Sequence, residues 1–119
     1  MKSFRDLQVW QKAHQLTLGV YVATQSFPRE ELYGLTSQMR RASSSIPMNT
    51  AEGCGRNTDN ELRRHLEIAM GSASELEYQL LLVHDLKYIT PIVYQQLNQQ
   101  VCEVKRMLAA FINKLKGEG

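Results

Sequence analysis

The chain has 119 residues, 43% of them apolar and 22% charged, which suits one globular domain over residues 1–119 and excludes a disordered or fibrous chain. Fourteen Lys and Arg against 12 Asp and Glu give a formal net charge of +2 and a pI near 8.6, so any contact with nucleic acid has to come from a local patch. Charges interrupt every long apolar window, which argues against a signal peptide or membrane span and makes a cytoplasmic location the expectation.

The first predicted helix covers Asp6 to Gln25. Leu7, Trp10, Ala13 or His14, Thr17 and Tyr21 form one stripe, and Val9, Leu16 and Val20 form another beside it. Ser26-Phe27-Pro28 ends it, because proline cannot continue a helix and restrains the residue before it. After a short turn at Pro28, the second helix is predicted from Leu35 to Glu52, with Leu35, Met39, Ala42 and Ile46 inward. Pro47 inside it removes a backbone hydrogen bond, so a kink is expected near Ser43 to Ile46, with Ser43, Ser44 and Ser45 satisfying the freed carbonyls. Gly53 and Gly55 are read as the helix terminators.

Thr58-Asp59-Asn60-Glu61 has the form of a capping box and opens the third helix. Its seam of Leu62, Leu66, Ala69, Ala73, Leu76, Leu80 and Val83 alternates steps of four and three. Gly71, Ser72 and Ser74 are small enough for a close helix approach. Thr90-Pro91 caps the fourth helix, predicted to reach Lys116 with Leu97, Val101, Val104, Leu108, Phe111 and Leu115 inward. Long helices, short loops and matched seams predict an all-α, antiparallel up-and-down four-helix bundle. The wide apolar faces of the first and third helices further predict self-association.

No metal, cofactor or catalytic machinery is marked. No Glu precedes a His by three residues, His14, His65 and His84 lie far apart, and Cys54 and Cys102 have no second cysteine nearby. Packing is the expected role of both thiols. No phosphate loop appears, and three consecutive serines are not a triad. Asn49, Glu52 and Glu75 fall near predicted inward faces. They read as a structural polar core fixing the register of helices two and three, or as a general acid or ligand contact. Arg40, Arg41, Arg56, Arg63 and Arg64 span the second helix, the next loop and the start of the third. They can form one phosphate-binding surface, or a solvated face with Asp59–Arg63 and Arg63–Glu67 as i,i+4 pairs.

Phe4-Arg5-Asp6-Leu7 with Val9-Trp10 and Lys12-Ala13 is the first of several ordered blocks that resemble one known family. The others are Phe27-Pro28 with Glu31 and Tyr33; Leu35 with Gln38, Arg40, Arg41 and Ala42; Ser45-Ile46 with Asn49; Ala51-Glu52-Gly53; and Gly71-Ser72-Ala73 with Glu75-Leu76. Together they resemble the four-helix-bundle proteins encoded in intervening sequences of bacterial 23S rRNA genes, and the likeness covers nearly the whole chain. Thr50 departs from the Ile that the family often carries there. The resemblance implies an up-and-down bundle assembled as a ring-like homopentamer. It also implies a fold similar to the accessory protein of diversity-generating retroelements, whose pentamer presents a basic surface to nucleic acid and a reverse transcriptase. The resulting expectation is a non-enzymatic homo-oligomer that binds RNA or other nucleic acid through the five arginines. The alternative is a structural module for an unknown protein partner that binds no nucleic acid.

Overall fold

The computed structural model describes residues 3–117. Its helices are α1 Gln8–Thr24, α2 Ser37–Cys54, α3 Asp59–Asp85 and α4 Pro91–Leu115, and the described residues contain no strand. The side chains expected to start α3 and α4 do so. Thr58 Oγ1 accepts from the Glu61 amide at 3.1 Å, and Thr90 Oγ1 accepts from the Val93 amide at 3.2 Å, with Pro91 opening the helix.

Cross-helix contacts give the helix directions. Thr17 meets Ser43 while Thr24 meets Arg40, and Ser45 meets Ser72 while Asn49 meets His65. Likewise Glu77 meets Lys105 while His84 meets Tyr94, and Lys12 meets Glu103 while Gly19 faces Leu97. In every pair one number rises as the other falls, so neighbouring helices are antiparallel and α1 closes on α4. The result is an up-and-down four-helix bundle of 43 × 24 × 20 Å.

The α3 seam is the heart of the core: Leu62, Leu66, Ala69, Ala73, Leu76, Leu80 and Val83 are all buried. On α4, Leu97, Val101, Val104 and Leu108 are buried, but Ile112 takes the next inner position and Phe111 and Leu115 move to the edge. A straight helix drifts about 20° per heptad against a 3.5-residue repeat, which brings the neighbouring residue inward near its end. α1 buries Val9, Ala13, Leu16, Thr17, Val20 and Thr24, leaving Tyr21 exposed and Trp10 at the rim, stacked on His14 and edge-on to Phe4.

α2 departs most from expectation. It begins at Ser37, after a 3-10 turn at Arg29–Glu31 and a wide turn at Leu32–Thr36 in which Gly34 takes φ −108° and ψ −114°. From Ser37 the helix continues unbroken through Pro47. The carbonyl that Pro47 orphans is that of Ser43, and Thr17 Oγ1 of α1 lies 2.9 Å from it. The Ser43 and Ser44 hydroxyls bond instead to the carbonyls of Arg40 and Arg41. Compensation therefore comes from a neighbouring helix and not from the serine run.

Gly53 is buried inside α2 and does not end it. A Cβ there would stand 2.9 Å from Leu62 Cδ1 and 3.0 Å from His65 Cβ, so glycine is what lets α2 meet the start of α3. Gly55 is the C-cap, but with φ −85° it closes the helix by a tight turn, not a left-handed one. The close approach expected at Gly71 is absent, since a Cβ there would meet nothing within 4 Å.

Candidate functional site

α2 and α3 each carry, beside the apolar seam, a second stripe of polar residues. Where the two stripes face each other they form a hydrogen-bonded chain. Ser45 Oγ and Ser72 Oγ are 2.8 Å apart, and Asn49 Nδ2 donates to the carbonyl and hydroxyl oxygens of Ser45 at 2.9 and 3.0 Å. Asn49 Oδ1 lies 3.2 Å from His65 Nδ1. Beyond it, His65 Nε2 stands 3.8 Å from Glu52 Oε2, which accepts from Arg56 at 2.7 Å. The asparagine thus bridges the two helices, as a register-fixing group should.

Glu52 and Glu75 are not core residues. Both are exposed: Glu52 holds Arg56 at the surface, and Glu75 accepts from Gln79 Nε2 at 3.3 Å on its own helix. Asn49 pairs across the seam with His65, not with Glu75. Sequence spacing put Glu52 and Glu75 one step too far inward. On a helix, one residue's difference is about 100° of rotation, enough to move a side chain from seam to flank.

Two hollows flank the chain. One, of about 450 Å3, is lined by Gln38, Arg41, Ala42, Ser45, Ser72 and Glu75. The other, of about 340 Å3 and near the bundle end, is lined by Arg56, Glu61, Arg64, His65 and Ile68. The arginines therefore divide into groups. Arg56 and Arg64 share one hollow, and Arg63 is half-buried next to Arg64 with its Nε buried and unpartnered. Neither Asp59–Arg63 nor Arg63–Glu67 is an ion pair among the described residues. Arg41 is exposed further along α2, and Arg40 turns the other way. Its Nε donates to Thr24 Oγ1 at 2.8 Å, its Nη2 to the Tyr21 carbonyl at 3.3 Å, and its guanidinium lies 4.8 Å from the Tyr21 ring centroid.

Sequence reasoning missed Ser45, His65, Ser72, Gln38 and Gln79 as members of this seam. The signal was present. Gln38, Arg41, Ser45, Asn49, Glu52 and Arg56 recur at steps of three and four, as do Glu61, His65, Ile68, Ser72, Glu75 and Gln79. A polar stripe parallel to an apolar one marks an interface flank as well as a solvated face, and only the facing helix distinguishes them.

The remaining titratable groups pair elsewhere. Among the described residues no three His, Cys, Asp or Glu side chains are placed to hold a metal. On the α3–α4 side, Lys105 Nζ donates to Glu77 Oε1 at 2.8 Å and holds its carboxyl below the ordinary range. Burial pushes the half-buried Cys54 and Cys102 thiols up, and the Glu77 carboxylate adds to the effect at Cys102. No helix among the described residues is long and apolar enough to cross a membrane.

The model of the 23S rRNA-intervening sequence protein family matches residues 5–110. The chain belongs to that family. Among solved structures it is similar to a protein of unknown function from the S23 ribosomal protein family of Bacteroides thetaiotaomicron VPI-5482. The TM-score is 0.81 and the identity 24%, with 88% of this chain and 95% of that chain covered. That likeness is one of fold. No curated protein matches the chain significantly. The six residues lining the larger α2–α3 hollow all lie within the family match.

Proposed function

We propose that this 23S rRNA-intervening sequence family member is a non-enzymatic, homo-oligomeric cytoplasmic module that binds structured RNA through the α2–α3 end of the bundle. The observation that carries this reading is the shared hollow of Arg56 and Arg64, next to half-buried Arg63. A guanidinium makes paired hydrogen bonds to phosphate, and a hollow with two of them suits a sugar-phosphate backbone better than a stacked base. Arg41 extends the cationic face along α2, while Arg40 serves to hold α1 against α2. Self-association is supported by Leu18, Val22 and Ile92, which are 53, 66 and 68% exposed. Leu18 and Val22 line an apolar groove of about 580 Å3 between α1 and α4. In a ring, the pentamer implied by the family resemblance, each weak arginine site is repeated and avidity raises the total affinity.

The test is light scattering on nuclease-treated protein, then RNA titrations at low and high salt. Arg56→Glu with Arg64→Glu is expected to weaken binding strongly and to reduce the salt slope by about one for each phosphate that is no longer neutralised. Unchanged affinity and slope would sink the site.

A second reading, a scaffold for a protein partner with no nucleic-acid role, is favoured by exposed apolar side chains away from the α1–α4 groove. Tyr33 is 92% exposed, Met48 65% and Tyr78 61%. A stable oligomer that shows no salt-sensitive binding to RNA or DNA would select it.

A further inference from the structure

The larger α2–α3 hollow carries unmatched charges of both signs. Arg41 stands on the α2 wall and Glu75 on the α3 wall. The antiparallel register that sets Ser45 opposite Ser72 brings Arg41 level with Glu75 and Gln38 level with Gln79. Yet neither Arg41 nor Glu75 enters an ion pair among the described residues, in contrast to Glu52, which closes on Arg56 at 2.7 Å. Gln79 is 4% exposed. Its Nε2 orients the Glu75 carboxylate at 3.3 Å, and its buried Oε1 has no hydrogen-bond partner. Gln79 thus fixes the Glu75 carboxylate from beneath the hollow, and Glu75, with no cation of its own among the described residues, is suited to a cationic donor from outside the chain.

The opposite wall and the base supply donors. Asn49 donates to Ser45 Oγ, and Ser45 in turn reaches Ser72 Oγ at 2.8 Å. With Asn49 donating to Ser45 Oγ, the Ser45–Ser72 bond uses one hydroxyl proton of the pair and leaves the other for an external acceptor, beside Arg41 and Gln38. We propose that this hollow binds a small zwitterion of the free amino-acid class, its carboxylate held by Arg41 and the Ser45–Ser72 hydroxyl pair and its ammonium by Glu75, whose carboxylate Gln79 orients. A volume of about 450 Å3 suits a ligand of that size. Arg41 also extends the proposed cationic face, but Glu75 belongs to this hollow alone, and the Arg56–Arg64 hollow that carries the RNA reading is a different one near the bundle end. Either reading can therefore fail without the other.

The experiment is an NMR titration of the full-length, 15N-labelled protein with the proteinogenic L-amino acids, first pooled and then singly, to millimolar concentration. Acetate and methylammonium serve as half-ligands. Saturable shifts confined to Gln38, Ser45, Ser72 and Gln79 are expected. Arg41→Gln and Glu75→Gln, both at exposed positions, should each weaken binding about tenfold or more, as loss of a charge-assisted hydrogen bond does. Arg56→Glu with Arg64→Glu should leave it unchanged. The proposal is overturned if no amino acid gives a saturable shift, if acetate alone reproduces it, or if Glu75→Gln binds as the parent does.

Discussion

Where α2 meets α3, the helices are joined by Ser45, Asn49, His65 and Ser72 and brought close by Gly53. Where α1 meets α4, apolar side chains stand half in solvent, and the nearest charged contact is Lys12–Glu103 at 3.7 Å on the surface. The two seams belong to one antiparallel bundle and close the same core, yet their chemistry is opposite. Hydrogen bonds are directional, so the polar seam accepts one register. Apolar contact is not, and the groove between α1 and α4 can exchange solvent for another surface at little cost.

The largest expected effect comes from forcing the polar seam apart. Gly53→Leu should cost about 3 kcal/mol in urea denaturation, because its Cβ already collides with α3 and overpacking adds to that. Gly19→Ala on the other side is the matched control. Its Cβ would meet the movable ends of Leu97 at 3.0 Å and Gln100 at 3.7 Å, and the better helix propensity offsets the contact, so a change below about 1 kcal/mol is expected. Equal losses at the two glycines would erase the distinction between the seams.

Asn49→Ala should cost about 1 kcal/mol, since it removes the bonds to Ser45 and His65. Native-state hydrogen exchange should locate the destabilisation in α2 and α3, and a uniform effect over the bundle would deny the asparagine its bridging role. Leu18→Lys with Val22→Lys should leave monomer stability within about 0.5 kcal/mol, both side chains being exposed, but should lower the mass seen by sedimentation if the groove is the subunit contact. An unchanged mass would move the contact elsewhere on the surface.

The smallest effect is expected on the third seam, α3–α4, at Glu77. Its folded-state carboxyl lies below the ordinary value, chiefly through the hydrogen bond from Lys105. The stability it contributes is therefore present above the unfolded carboxyl pKa of about 4.3 and lost as pH falls through the lower folded value. Glu77 is 38% exposed, so solvent screening limits the gain to a few tenths of a kcal/mol, about the median for such pairs. Glu77→Gln should flatten the acid limb of the stability curve by that amount, and an unaltered limb would show the pair to be inert.

Much of the bundle was legible in the residues because its strongest signals are local. Thr58 and Thr90 cap α3 and α4 through amides three residues on, and the seven apolar residues of α3 repeat at the spacing that buries them. The site was less legible. Arg40 and Arg41 are adjacent in the chain, but one is drawn to Thr24 and the other stands in the α2–α3 hollow. Periodicity shows that their directions differ without showing what lies in either direction. Glu52 and Glu75 were placed inward by the same limit, since a flank residue and a seam residue differ by a single position.

Sequence alone determined the four helices, the capped starts of α3 and α4 and the face that α3 turns to the core, because capping and amphipathic spacing act within a few residues. Tertiary structure decided which polar groups meet. The Ser43 carbonyl that Pro47 frees is satisfied by Thr17, 26 residues earlier, and Ser45 finds Ser72 27 residues later. Such bonds depend on how two helices are rotated and offset against each other. That rotation is fixed by the whole core and by the close approach at Gly53, and no local stretch of chain encodes it.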